Sequence, residues 1–265
     1  MSIMQKARCS GTVLFAHKSA AKRLQTKTIV LYYSCMTMER NGNTMQGRLI
    51  VMEGTDGSGK ATQTALLCQE LENRGIPYKR ISFPRYDQES SALVRLYLGG
   101  AFGTRPDDVN AYAASSFFSV DRYASYKQDW GEFYRQGGLV IADRYTTSNA
   151  VHQCSKLPPE ERKAYLDWLF GFEYGLLGLP EPTRVFYLDV PTELTEQMMR
   201  KREATTHTQA DIHEQDEAYL RHCRENAQFV VDYGKWTKID CARSGALRTV
   251  EDIHSEIMKR LADLL

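Results

Sequence analysis

One stretch constrains this chain more than any other. Leu49-Ile50-Val51-Met52 is an uninterrupted apolar run, the pattern of a strand buried on both faces, and it leads directly into Glu53-Gly54-Thr55-Asp56-Gly57-Ser58-Gly59-Lys60-Ala61-Thr62. The spacing Gly54-x4-Gly59-Lys60 is that of a phosphate-binding loop, or P-loop. Glycines at these places let backbone N–H groups turn inward around phosphate oxygens, and the following helix presents its positive end to the same anion. Lys60 then bridges the β- and γ-phosphates as a point charge. One residue departs from the pattern. Ala61 stands where a Ser or Thr usually offers a hydroxyl to Mg²⁺, and Thr62 lies about 100° further round the helix. Either other groups hold the metal, or nucleotide is bound without being turned over.

Downstream, apolar runs over 78–83, 139–142, 185–190 and 236–241 read as further strands. Helical patterns fall at about 60–74, 89–98, 107–136, 158–170, 192–203, 213–233 and 248–264. Strands alternating with helices predict βαβ units, and right-handed crossovers place helices on both faces of a parallel sheet. The expected fold class is therefore α/β: a P-loop NTPase three-layer α/β/α sandwich with a five-stranded parallel sheet. The Gly-Gly pairs at 99–100 and 137–138 and the Pro-Glu-Pro at 180–182 punctuate elements without dividing the chain.

The net charge of +1, from 34 Lys+Arg and 33 Asp+Glu, hides an asymmetry. Residues 1–47 hold seven basic residues and one acid, Glu39, which leaves 27 basic and 32 acidic residues in 48–265. An acidic body argues against a general grip on nucleic acid, which needs clustered Lys and Arg. No stretch approaches the roughly 18 apolar residues of a membrane span. The expectation is thus a basic, unstructured extension at 1–47 and a working domain of 48–265. A mis-placed start, a transit peptide and a functional extension all fit the first segment, so the compartment is read as cytoplasmic, or organellar if a transit peptide is present. Six cysteines at 9, 35, 68, 154, 223 and 241 show no metal-ligand spacing and read as buried apolar side chains in a reducing compartment.

Further segments, in order, resemble the thymidylate kinase family. Glu53-Gly54-Thr55-Asp56 is similar to its E-G-x-D opening, and Phe83-Pro84-Arg85 to the segment after its second strand. Phe118-Ser119-Val120-Asp121-Arg122 is similar to its F-x-x-[DN]-R helix. Val140-Ile141-Ala142-Asp143-Arg144-Tyr145 resembles its D-R-Y strand end, followed here by Ser148, Asn149 and His152. Leu188-Asp189-Val190-Pro191 resembles its L-D-V-P strand end, and Arg200-Lys201-Arg202 opens the lid, expected at about 200–215.

The resemblance implies ATP as phosphoryl donor, Mg²⁺ as cofactor, dTMP as acceptor and a homodimer. It places ATP on Gly54, Thr55, Asp56, Gly57, Ser58, Gly59, Lys60, Ala61 and Thr62. It puts the acceptor against Asp56, Phe83, Arg85, Phe118, Arg122, Arg144, Ser148, Asn149 and His152, with Phe118 stacking on the base and Arg122 donating to a base carbonyl. Phe118 and Arg122 are four apart on one helix and so share a face. Asp56 and Asp143 are the metal-facing carboxylates. Lys60, Asp56, Arg144, Arg200 and Arg202 carry the transfer.

The departures concern charge. No arginine lies within the loop or in 203–220 to stabilise the transferring phosphoryl group, which leaves Arg200 and Arg202. Arg85 sits one place before the family's usual arginine, and His152 stands where a Tyr is frequent. A kinase for another deoxynucleoside or deoxynucleotide, and a nucleotide-binding regulator without transfer activity, stay open at this point.

Overall fold

The computed structural model describes residues 46–191, 193–195, 212–213 and 216–265. Five strands, β1 (Arg48–Glu53), β2 (Tyr78–Ser82), β3 (Leu139–Asp143), β4 (Arg184–Asp189) and β5 (Thr237–Asp240), form one sheet in the order β2-β3-β1-β4-β5, every neighbouring pair parallel. Side chains alternate faces along a strand, and the central strands divide accordingly. Ile50, Met52, Ile141, Phe186 and Leu188 join Leu67 and Leu71 of α1 (Lys60–Asn73) and Ile253, Ile257 and Leu261 of the last helix in one core. Leu49, Val51, Val140, Ala142 and Val185 meet Tyr126, Trp130, Tyr134 and Tyr145 on the other face. Helices on both faces explain why the strands are apolar runs rather than alternating ones. The three-layer α/β/α expectation holds.

Further helices bounded within the described residues are α2 (Ala92–Leu98), α3 (Ala111–Ser125), α4 (Gly131–Arg135), α5 (Thr146–His152), α6 (Pro159–Phe170), α7 (Glu217–Gly234) and α8 (Val250–Leu261). The helix expected over 107–136 is divided. Pro106–Asp108 forms a 3₁₀ turn, the Asn110 side chain accepts from Ala113 N at 2.9 Å to start α3, and a π turn over Tyr126–Trp130 separates α3 from α4. A second π turn, Gly171–Leu176, follows α6. A hairpin of β6 (Ala242–Arg243) and β7 (Ala246–Leu247) was not expected from sequence.

The compact body takes in Gly47, which is buried so closely that a Cβ there would lie 2.4 Å from Tyr134 O. The remaining calls on the 1–47 extension, and Arg200 and Arg202 of the lid, lie outside the described residues. Among the described residues no helix is long and apolar enough to cross a membrane, and Cys68, Cys154, Cys223 and Cys241 are free and buried.

Candidate active site

Strand register sets the site. Met52 of β1 and Ser82 of β2 both align with Asp143 of β3, and Glu53 aligns with Tyr187 of β4. Four carboxyl ends therefore finish together, at the edge where open α/β sheets receive ligands. The loop 54–59 leaves β1 at this edge. Gly57 and Gly59 take positive φ of 77° and 87°, a region open to glycine at little cost. Space above Gly59 is open, and Ser58 Oγ is buried without a partner among the described residues. An empty turn with an orphaned hydroxyl at the N-terminus of α1 fits a phosphate group. Lys60 Nζ meanwhile donates to the carbonyls of Gly54 and Thr55 at 2.8 and 2.9 Å. Burial, then repulsion by Arg144, pushes its ammonium down to about 8 against the pull of Asp56, Glu53 and Asp143. A bound polyphosphate would supply the missing negative charge.

Arg144 follows β3 with φ 68°, in the left-handed region, which costs a non-glycine residue roughly 1–2 kcal/mol. That turn, held by Arg144 N donating to Met52 O at 3.1 Å, brings its guanidinium to the loop. There it ion-pairs with Asp56 and lies 3.7 Å from Glu53 Oε1. Burial would raise the Asp56 carboxyl, but Arg144 first and Lys60 second hold it well below the usual carboxylate range. Glu53 is wholly buried and accepts from Gly54 N, Thr147 Oγ1 and Ser148 Oγ at 2.7–2.9 Å. The loop and the start of α5 are thereby locked together.

The metal donors are few. Ala61 and Thr62 are exposed, Asp143 is half-buried at the end of β3, and the Asp56 carboxylate is engaged by Arg144. No cluster of three candidate ligands occurs among the described residues. This fits Mg²⁺, which is held by one or two carboxylates with phosphates and water.

The acceptor-side residues separate into two groups. Ser148, Asn149 and His152 lie on α5; Ser148 and His152 gather at Arg144, whose Nη1 reaches Ser148 Oγ at 3.3 Å and His152 Nε2 at 3.4 Å, while Asn149 turns its amide to Ser115 O. Arginine only donates, so His152 Nε2 accepts and its Nδ1–H faces Cys223 Sγ at 3.6 Å. The imidazole stacks on His213, centroids 5.9 Å apart and nearly parallel. His213 Nε2 bonds Tyr97 OH at 2.8 Å, and that hydroxyl accepts from Lys156 Nζ at 2.8 Å. Burial first, then Arg144, pushes His152 down to about 3, and burial with His152 beside it keeps His213 well below its ordinary value.

The second group is engaged within the protein. Phe83 is a core residue against Tyr145. The guanidinium of Arg85 binds Asp121 and Ser90. Nearby on α2, Arg95, not among the residues assigned to the acceptor, binds the carbonyls of Tyr86 and Gln88. Phe118 and Phe117 are both half-buried against Tyr97, centroids 6.3 Å away in each case. Arg122 is almost wholly buried, and its Nε and Nη2 bind Glu173 at 2.7 and 2.5 Å.

Sequence reasoning missed Glu173, Glu53 as a bonding centre, and the Lys156–Tyr97–His213 chain. The available signal was a lone acid in the otherwise apolar stretch 169–177, because a carboxylate is almost never buried without partners.

The thymidylate kinase profile matches residues 52–257. A thymidylate kinase of Mycobacterium tuberculosis is 32% identical over 155 residues, covering 58% of this chain and 71% of its own. A thymidylate kinase of Plasmodium falciparum is 27% identical over 226 residues, covering 83% and 91%. The solved thymidylate kinase of Candida albicans superposes with a TM-score of 0.62 at 20% identity, over 83% of this chain and 92% of that one, a likeness of fold.

Proposed function

The chain belongs to the thymidylate kinase family and so phosphorylates dTMP to dTDP with ATP as donor, and we propose that Lys60 and the loop 54–62 hold the ATP phosphates while Arg144 grips the phosphate of dTMP. The observation that supports this most is the ion pair between Asp56 of the loop and Arg144 of β3. It joins the donor cradle and the acceptor grip in one contact. A dTMP phosphate competing for Arg144 releases Asp56, whose carboxylate is then free to meet the sugar hydroxyl or the metal's water. In this reading the base lies against Phe118, Arg122 and Asn149, the sugar beside Ser148 and His152, and Phe83 and Arg85 shape the pocket through the core and Asp121 without touching the acceptor. Asp143, with Asp56 once it is released, would hold Mg²⁺ through its waters, and the metal would supply charge neutralisation for the transferring group. Little covalent chemistry is asked of the protein, since positioning and charge dominate phosphoryl transfer. Arg200 and Arg202 supply positive charge from the lid.

The proposal extends to a homodimer and to a reducing, cytoplasmic compartment. Leu93 and Leu96 on α2, and Val120 and Tyr123 on α3, are exposed i,i+3 pairs on packed neighbours, and the free buried cysteines suit a reducing interior. A panel of nucleoside monophosphates and nucleosides, assayed by ADP release, tests the acceptor assignment. Turnover of a nucleoside in place of dTMP would overturn it. Sedimentation of the purified protein tests the dimer, and a monomer at assay concentration would refute it.

A further inference from the structure

Glu173 is wholly buried in the π turn after α6, far in sequence from every motif of the site. Its two oxygens receive a complete set of donors. Oε2 accepts from Arg122 Nε at 2.7 Å and Thr146 Oγ1 at 2.6 Å. Oε1 accepts from Arg122 Nη2 at 2.5 Å, Ser119 Oγ at 2.8 Å and, at the longer distance of 3.5 Å, Asn149 Nδ2. This leaves both base-side residues with one defined polar face. Arg122 keeps Nη1 clear of the carboxylate, and among the described residues that nitrogen makes one hydrogen bond, to Tyr145 O at 3.4 Å. Asn149 spends its amide N–H groups on Ser115 O at 3.2 Å and Glu173, while its amide oxygen accepts no bond among the described residues. Both side chains thus bind the same carboxylate oxygen, and this pairing leaves Asn149 Oδ1 as an acceptor and Arg122 Nη1 as a donor.

We propose that Glu173 is a positioning residue for base specificity: by fixing the turn of the Asn149 amide and the roll of the Arg122 guanidinium, it sets the pair to read a pyrimidine ring with N3–H next to a carbonyl. A ring with an unprotonated N3 beside an amino group presents the opposite pattern and meets acceptor with acceptor and donor with donor. The cost of such a mismatch is that of buried polar groups left unpaired. The inference rests on the assignment of Arg122 and Asn149 to the base.

The experiment compares kcat/KM for dTMP and dCMP in the full chain and in three variants, with KM for ATP and thermal stability recorded for each. Glu173→Gln replaces an acceptor by a donor at the carboxylate. Glu173→Asp keeps the charge but withdraws it by one methylene. Thr146→Val removes one donor to the carboxylate, from a hydroxyl that also bonds Tyr174. The expected result is a rise of at least tenfold in KM for dTMP in Glu173→Gln and a fall of at least tenfold in the dTMP/dCMP preference, with KM for ATP within twofold. Glu173→Asp restores part of the preference, and Thr146→Val shows a smaller loss of the same kind. If Glu173→Gln does not fold, the other two decide. An unchanged preference in the folded variants overturns the proposal. Asn149→Ala and Arg122→Lys serve as the separate control: if these leave the preference unchanged, the base assignment itself has failed, and the proposal with it. If these shift it and the Glu173 and Thr146 variants do not, only the positioning role is lost.

Discussion

The buried histidine pair beside Arg144 makes the protein's stability fall on mild acidification. His152 is neutral in the fold: Arg144, Lys60 and Lys156 repel its charged form, Asp56 opposes them, and His213 stacks against it. Its ordinary value of 6.5 drops to about 3, so between those limits the unfolded chain carries a proton that the folded one does not. Stability from this group is complete above pH 6.5 and is lost as pH falls toward 3, at about 1.4 kcal/mol per unit. At pH 5.0 the loss is about 2 kcal/mol, and His213 adds to it in the same direction. For a domain of this size each kcal/mol moves Tm by about 2–4 °C, so His152 alone accounts for about 4–8 °C. Carboxylates contribute little above pH 5, and the depressed lysines Lys60 and Lys156, both near 8, act only in the alkaline range. The assay is Tm by calorimetry at pH 7.5 and 5.0, for the parent and for His152→Gln. The parent's decline should exceed that of the variant by about 4–8 °C. Equal declines would show that His152 is not held neutral, and would refute the reasoning whatever the variant's absolute stability.

Other outcomes follow from charge and packing. Arg122→Met or Glu173→Leu alone strands a buried charge and should cost about 3–5 kcal/mol, whereas the double variant recovers most of it; denaturant titration of all three checks this, and additive losses would contradict it. Asp143→Asn should raise the Mg²⁺ concentration needed for half-maximal turnover several-fold, and an unchanged Mg²⁺ titration would place the metal elsewhere. Asp56→Asn removes one of the two carboxylates that pair with Arg144 and should lower kcat for dTMP by about 10²-fold, as steady-state kinetics would show.

What was legible in the chain was local. The run 49–52 and the glycine spacing after it declare a strand, a loop and a helix within a dozen residues, and the structure places them so. The ends of β3 and β4 were equally readable, because strands covered on both faces leave continuous apolar runs. The helix over 107–136 was misread as one piece: a π turn has no periodicity of its own, and Tyr126 and Trp130 point inward in either case. Arg122 was found by its motif, but its commitment to Glu173 was not, since their separation of 51 residues is closed only by the packing of α6 beneath α5. Arg85 likewise reads as an acceptor-binding residue until Asp121 and Ser90 are seen around it.

The π turn that carries Glu173 has an evolutionary consequence. Such a turn holds one more residue than the α-helical turn it replaces, and removing that residue would swing the side chains beyond it by about 100°, taking the carboxylate away from Arg122. The feature is therefore gained or lost by insertion or deletion and not by gradual substitution. Relatives should divide at 171–176 by a gap: those with the full turn keep an acid that faces Arg122, and those one residue shorter must hold that arginine by some other group.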